Sequence, residues 1–250
     1  MKQILFGLLA AVTFMMTSCE TTREININAD GKGTLATTVD LGGLVGMAKM
    51  SGQGEGLDKM DRPVDTVINL STMADSIPDL TPEQRAILRT GKLSAKVNME
   101  SDQFLFKVDF PFNNVSEISH IDKLTGKVMQ EATKNQMGKK EDAPPGPVPD
   151  ASKGAVEEYF VTTYSKGLIE SKLNAEKYAA VAENEMMQGM KEMAGMGMGK
   201  TTVIIKLPNA AKKVEGANTT VSADKKTVTI VSSLEDFFDD AKKMEYRIEY

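Results

Sequence analysis

Residues 93–112 read LSAKVNMESDQFLFKVDFPF, and this stretch decides the fold more than any other part of the sequence. Apolar residues alternate with polar ones from Leu93 to Met99, a polar segment follows, and the alternation resumes from Phe104 to Phe112. A period of two puts every second side chain on the same face of a strand. The stretch therefore predicts a β-hairpin, with four phenylalanines on one face that needs a core to pack against.

The segments before this hairpin show both strand and helix patterns. They predict a hairpin over 23–39, a short helix over 41–50, a glycine-rich loop over 51–61, a strand over 64–70 and a helix over 82–90. The first hairpin has period-two apolar positions around the turn at Asp30 and Gly31. Thr81 followed by Pro82 is typical of a helix N-cap and first helical residue.

The segments after the hairpin complete the first half of the chain and form the second half. They predict a helix over 114–132, a hairpin over 157–173, a helix over 175–193, a strand over 202–207, a hairpin over 219–231, a helix over 234–244 and a strand over 246–250. Both halves thus have the order strand, strand, helix, strand, hairpin, helix. A chance match remains open, because hairpins joined by helices are common.

The order of these elements predicts an α+β fold with mainly antiparallel sheets and helices on one face. We interpret the two halves as an internal duplication, with one unit at 23–132 and another at 154–250. Residues 133–153 include four prolines within Pro144–Pro149, so they predict an extended linker. The pattern does not decide whether the two units share one sheet.

The first residues have the layout of a secretory signal. Lys2 gives a positive start, Ile4–Met16 is uncharged and too short for a stable membrane span, and Cys19 is the only cysteine. Residues 16–19 resemble the lipobox of bacterial lipoproteins, although Met16 replaces the usual Leu and Ser18 the usual Gly or Ala. The resemblance implies a signal peptide over 1–18, lipid attachment at Cys19 and a short tether over 19–22. An ordinary thiol beside a conventional cleavage site is the alternative.

The net charge and the N-terminal segment limit the kinds of partner that we expect the protein to bind. The formal charge of the chain is −5, which argues against binding to nucleic acid or anionic head groups through the folded body. We expect a membrane partner through the lipid on Cys19, in the bacterial cell envelope and at the outer membrane rather than the inner one. The patterns do not identify a protein or small-molecule partner.

The segment 202–230 is similar to the C-terminal strands of the LppM-like envelope lipoproteins. It has an alternating strand that ends at Pro208, an asparagine at Asn218 and a charged turn at Asp224–Lys226. The aromatic residue that often closes this hairpin is absent, since Ile230 stands near that position. The resemblance implies a β-rich envelope lipoprotein and brings no catalytic residues.

Two short motifs resemble nucleotide-binding or catalytic patterns, but the secondary structure predicted around them does not fit that chemistry. Residues 194–201 match a relaxed phosphate-loop pattern, but that loop needs a strand before it and a helix after it, and here the predicted order is reversed. The Ser222-x-x-Lys225 pattern falls in a predicted hairpin turn, whereas the catalytic form opens a helix. We therefore expect no enzyme activity and no cofactor.

A methionine-rich segment over 186–198 is the most unusual local feature. Thioethers are soft ligands that suit Cu(I), but methionine is also a good helix former and core filler. The main hypothesis is a non-enzymatic, lipid-anchored envelope protein with a binding or structural role. The alternative is a Cu(I)-handling protein that uses Met186, Met190, Met193, Met196 and Met198.

Overall fold

A computed structural model describes residues 20–50, 52, 63–75, 77, 80–98, 100–137, 156–195, 197 and 199–250. The fold is α+β, with a mixed sheet of eight strands and an antiparallel sheet of four strands. The predicted class is confirmed. The predicted signal peptide, Cys19 and most of the predicted loop over 51–61 lie outside the described residues.

The strands and helices are numbered here in chain order. The strands are β1 Glu20–Ile27, β2 Gly33–Asp40, β3 Val64–Asn69, β4 Lys92–Asn98, β5 Gln103–Phe112, β6 Phe160–Ser165, β7 Leu168–Leu173, β8 Lys200–Lys206, β9 Lys213–Glu215, β10 Thr219–Val221, β11 Thr227–Ser233 and β12 Tyr246–Glu249. The helices are α1 Gly42–Met50, α2 Pro82–Leu88, α3 Ile118–Met137, α4 Ala175–Ala179, α5 Glu185–Gly195 and α6 Leu234–Asp240.

The large sheet takes strands from both halves of the chain. Its order is β10-β11-β8-β1-β2-β5-β4-β3, and the small sheet has the order β6-β7-β12-β9. All of these neighbours are antiparallel except β1 and β8, which run parallel with Glu20 opposite Lys200. The pairings of the two halves also differ, because β3 pairs with β4 whereas β8 pairs with β11.

One face of the large sheet forms the main core. The alternation of β5 buries Val108, Phe110 and Phe112, and the registers place Leu35 and Ile25 on the same face. Residues of α3 and of the small sheet complete this core, among them Ile118, Ile121, Leu124, Ile169 and Ile248. Burial of about 1.5–3 kcal/mol per large apolar side chain makes this layer the main source of stability.

Helix starts follow local capping chemistry. Thr81 accepts a hydrogen bond from the backbone of Gln84, and the Gln84 side chain accepts one from the Thr81 backbone, as in a capping box. Ser233 and Asp236 form the same arrangement at α6. No helix in the described part of the chain is long and apolar enough to cross a membrane.

Several boundaries differ from the predicted ones. The predicted helix over 175–193 is two helices, because the Asn184 side chain accepts from the Met187 backbone amide and starts α5 anew. Val156–Tyr159 is a 3₁₀ turn that precedes strand β6, and α6 ends at Asp240 before another 3₁₀ turn. The three-residue strand β9 has no counterpart in the predictions.

Two boundaries bear on the predicted tether and linker. Glu20, the second residue of the predicted tether, already belongs to β1. Helix α3 continues to Met137, so the first residues of the predicted linker over 133–153 are helical. Residues 138–155 lie outside the described part.

Candidate functional site

The predicted site residues fall mainly outside the described side chains. Cys19, Met196 and Met198 are outside the described residues, and so are the side chains of Met186 and Met193. Met190, the remaining member of the predicted copper site, is half-buried against a second hydrophobic cluster.

This second cluster is aromatic and uses methionine as a packing residue. Phe237 lies at its centre, with ring centroids 5.3 Å from Tyr159 and 5.3 Å from Tyr178. Met187 is completely buried in it. The described methionines of the segment 186–198 therefore have the role of adaptable core fillers.

A polar cleft lies at the end of the large sheet where β1 finishes, which we call the Asn28 end. Four connections meet there: Asn28–Gly31 after β1, Asn113–Asn114 after β5, the β6–β7 turn at Lys166, and Pro208–Asn209 after β8. The cleft, called here the Asn cleft, has a volume of about 330 Å³. This size is in the range of small-molecule sites.

Local hydrogen bonds hold the walls of the Asn cleft. The Asp30 carboxylate accepts from the backbone of Lys32, and Gly31 has a φ of 83°, so the β1–β2 turn needs a residue that tolerates the left-handed region. The Asn114 side chain accepts from the Ser116 backbone and caps the turn that leads into α3. These contacts fix the backbone and leave other amides available.

The chemistry of the Asn cleft is that of neutral hydrogen bonding. The side-chain amides of Asn28, Asn113 and Asn209 hydrogen-bond to none of the described residues. Each amide offers two donors and an acceptor. Asp30 and Lys166 contribute opposite charges, so the formal charge of the lining nearly cancels.

A half-buried ionic cluster joins β1 to α3 and the small sheet. The Arg23 guanidinium Nη2 lies 2.6 Å from Asp122 Oδ1 and donates a 2.8 Å hydrogen bond to the Tyr164 hydroxyl. The Arg23 and Asp122 side chains are 17% and 30% exposed. Arg23 Nε is buried without a hydrogen-bond partner among the described residues.

Burial and the neighbouring charged and phenolic groups both shift the pKa values in this cluster. Burial is the strongest single influence and acts to lower the pKa of Arg23, but Asp122, Tyr164 and Tyr246 together outweigh it, so this pKa is raised and Arg23 stays charged. Burial raises the pKa of Asp122, and Arg23 offsets only part of that change. Burial also raises the pKa of Tyr164 and Tyr246. The cluster is thus a charge pair surrounded by neutral tyrosines.

His120, the only histidine of the sequence, and the Ser222-x-x-Lys225 pattern both lie at the surface of the fold. His120 Nδ1 lies 3.7 Å from Glu83 on the surface, and Ser222 donates its hydroxyl hydrogen to Asp224 within the β10–β11 turn. No group of three His, Cys, Asp or Glu side chains in the described ranges is arranged to hold a metal ion. Residues 194–201 follow a helix and lead into strand β8, which is the predicted order.

Sequence reasoning missed both the Asn cleft and the Arg23 cluster. A signal existed for the cluster, because Arg23 falls in phase with Ile25 and Ile27, and Asp122 is adjacent to Ile121 on the apolar side of α3. When each of two elements carries a charged residue in phase with its core positions, and the two charges are opposite, the pattern indicates an ion pair inside the fold. The Asn cleft has no comparable local signal, since its asparagines are far apart in the chain.

Comparison with known proteins adds no relative: no family model, curated protein or solved structure matches this chain.

Proposed function

We propose that the protein is a lipid-anchored lipoprotein of the bacterial cell envelope with a non-enzymatic binding role. The N-terminal segment with its lipobox-like residues 16–19 carries the anchor part of this proposal. Acylation of Cys19 with two or more chains would give stable membrane attachment. The C-terminal resemblance to LppM-like lipoproteins supports the same class.

The position of the Asn cleft supports the binding part. Strand β1 begins at Glu20, one residue after the proposed lipid attachment, and ends at Ile27 beside the cleft. A strand of eight residues spans roughly 23 Å at about 3.3 Å per residue. The cleft therefore lies at the end of the sheet opposite to the proposed anchor, where a ligand outside the membrane can reach it.

The three asparagine amides of the cleft, which have no hydrogen-bond partner in the described part of the chain, indicate the class of ligand. Three side-chain amides that both donate and accept fit a neutral molecule rich in hydroxyl or amide groups, such as an N-acetylated sugar. A strongly charged ligand fits less well, because Asp30 and Lys166 would each repel one sign of charge. The apolar floor includes Ile27 and Val115, which can contact the carbon face of such a ring.

Intact mass tests the anchor. We expect protein purified from its native membrane to start at Cys19 and to carry added acyl mass, and the Cys19→Ala variant to lack this mass. An unmodified wild-type protein would contradict the anchor and leave a freely exported binder as the interpretation.

NMR titration of the soluble body, residues 20–250, tests the cleft with N-acetylglucosamine as the probe. We expect shifts in the side-chain amide signals of Asn28, Asn113 and Asn209, and loss of binding in the Asn113→Ala variant. Gln103→Ala is the matched control, because Gln103 is an exposed amide residue at the opposite end of β5. Equal shifts in both variants would contradict binding in the cleft.

The alternative proposal is Cu(I) handling by the segment 186–198. Titration with Cu(I) under reducing conditions separates it from the main proposal. Affinity of micromolar or tighter that is lost on replacing Met190, Met193, Met196 and Met198 would support copper binding. Weaker or unchanged binding would remove this alternative.

The internal duplication is the finer part of the proposed architecture. Its support is the order of elements predicted from the sequence, although α2 of the first half and β9 and β12 of the second half have no counterpart. The different pairing of β3 and β8 means that a duplication would have to include a later rearrangement of strands.

A further inference from the structure

The end of the large sheet at which β1 begins, called here the Glu20 end, gathers three connections. Glu20 lies opposite Asp40 and Lys200, and Lys200 lies opposite Ser233. Asp40 leads into α1, the segment before Lys200 comes from α5, and Ser233 begins α6. All three connections are therefore at the level of the residue that follows Cys19.

Helix α1 is the apolar member of this group. Residues 41–50 read LGGLVGMAKM, in which Lys49 is the only charged residue. Lys49 Nζ lies 2.6 Å from Asp102 Oδ1, so its charge is paired. Met50, at the end of the helix, is 87% exposed, more than any other large apolar side chain recorded as exposed in the described ranges.

The helix is fixed in place rather than free. The Leu41 backbone amide donates to the Phe104 carbonyl, and Gly42 donates to the Asp40 carboxylate. Val45 is buried with Val97 against Phe104. A small apolar contact thus holds one side of α1 on the sheet, and Met50 remains in solvent.

The neighbouring connection between α5 and β8 is also uncharged. Residues 194–199 read AGMGMG, and Gly195 and Gly197 are exposed. The Leu234 backbone amide donates to the Gly199 carbonyl, which fixes the end of this connection beside the start of α6. The Glu20 end therefore presents α1 with its exposed methionine and the uncharged stretch 194–199, and charged Lys191, Glu235 and Asp239 line a cavity beside Gly195 and Gly197.

We propose that the Glu20 end rests on the lipid surface, with α1 in contact with the head-group region. This inference rests on the proposed acylation of Cys19. Glu20 directly follows Cys19 and is already paired with both neighbouring strands. At about 3.5 Å per residue, the proposed lipid attachment therefore lies within one residue's length of the sheet. The short reach favours the membrane over a second copy or a separate protein as the partner of α1.

The contact would be apolar and not electrostatic. The chain is acidic, with a formal charge of −5, and the lysine of α1 is already paired with Asp102. Amphipathic segments at an interface bind through buried apolar area as well as through charge. We therefore expect the contact to persist at high salt, where charge attraction is screened.

Single-tryptophan reporters test this orientation, because the sequence contains no tryptophan. Acylated Met50→Trp protein is placed in phosphatidylcholine vesicles that contain brominated lipid, which quenches tryptophan fluorescence. We expect a blue shift and strong quenching that does not change with salt. Acylated Ala29→Trp is the matched control at the Asn28 end, where Ala29 is exposed, and it should show neither effect.

The outcomes separate the orientation from the anchor. No quenching at Met50→Trp, in protein whose mass confirms acylation, would overturn the orientation and leave the anchor intact. Absence of acyl mass would remove the anchor itself, and the orientation with it. A blue shift without vesicles that grows with protein concentration would assign α1 to a contact between two copies and would also overturn the proposal.

Discussion

Arg23 occupies a position on β1 that the strand alternation assigns to the core face, in phase with Ile25. The Asp122 carboxylate on α3 and the Tyr164 hydroxyl accept its hydrogen bonds, so the charge is compensated inside the protein. Removing one member of a buried ion pair leaves the other charge uncompensated, whereas replacing both by apolar groups can be neutral. This contrast is a direct test of the cluster.

We expect Arg23→Met to lower the free energy of unfolding by about 1–3 kcal/mol, because Asp122, whose side chain is 30% exposed, is left as a half-buried carboxylate without its partner. The double variant Arg23→Met with Asp122→Leu should recover most of that loss. Urea unfolding of the four proteins of the cycle measures both effects. Additive losses in the double variant would show that the two charges do not stabilise each other.

Gly91 gives a second prediction for a single residue. A Cβ atom at this position would lie 2.3 Å from the Phe110 ring and 2.9 Å from Leu70, and both of these residues are completely buried core residues. We expect Gly91→Ala to cost about 1–3 kcal/mol through overpacking, measured by thermal or urea unfolding.

Gly189→Ala is the control for this substitution. Gly189 lies in α5 with nothing within 4 Å of an added Cβ. Alanine there should stabilise the protein by about 0.5–1 kcal/mol, because it restricts the unfolded chain and favours helix. Equal effects of the two substitutions would contradict a packing role for Gly91.

At the level of elements, an ion pair between Glu24 and Lys206 joins the parallel strands β1 and β8 on the exposed face of the sheet. A hydrogen bond from Lys206, and a second from Asn26, hold the pKa of Glu24 below its usual value of 4.5. The Glu24 side chain is 35% exposed and that of Lys206 is 52% exposed, so solvent screens the contact. A lowered carboxyl pKa adds stability above its usual value, and this contribution is lost as pH falls through the folded value.

We expect Lys206→Met to lower the free energy of unfolding by about 0.2–1 kcal/mol at neutral pH. The difference from wild type should vanish in acid, once Glu24 is protonated in both proteins. Urea unfolding across this pH range measures it. Lys32→Met, at a pair with Asp30 in which both side chains are more than half exposed, is the control with no expected change.

The local patterns identified most elements because local chemistry sets them. Alternation located the hairpins β1–β2 and β4–β5, and the Thr81 cap located the start of α2. The break at Asn184 was missed because alanines before it and methionines after it are both good helix formers and continue the helical pattern. Short strand β9 was missed because three residues carry almost no periodicity.

The site could not be read from the sequence in the same way. The Asn cleft forms only because β1, β5 and β8 finish at the same end of the large sheet, which brings together Asn28, Asn113 and Asn209. That alignment depends on the β1–β8 register, which joins residues about 180 positions apart. No local pattern encodes such a pairing.

For the whole molecule, the shared sheet makes the two halves depend on each other. The pairing of β1 with β8 continues the sheet across the boundary, and α3 packs beside residues of both sheets in one core. The proposed units at 23–132 and 154–250 are therefore partners in one hydrophobic layer. Separation would expose Ile25 and Ile205, which are completely buried.

We expect the chain to stay assembled after a cut between the halves. A protease site inserted at Pro145-Gly146, in the proline-rich segment, should give two fragments that elute together on size exclusion under native conditions and separate only in denaturant. The half over 23–132 expressed alone should unfold at lower denaturant or aggregate, because the edge of β1 is then unpaired. Fragments that separate at once, each folded, would contradict a shared core.

The central place of β1 also has a mechanical meaning. If Cys19 is the attachment point and a ligand held by Asn113 and Asn209, after β5 and β8, is pulled away from the membrane, the force passes from β1 into its neighbouring strands. Eight residue pairs with β2 and seven with β8 would then be loaded together in shear, instead of opening one after another from an end. Strand pairs loaded in shear resist force better than pairs that open one by one, so this geometry would keep such a ligand attached under a steady pull.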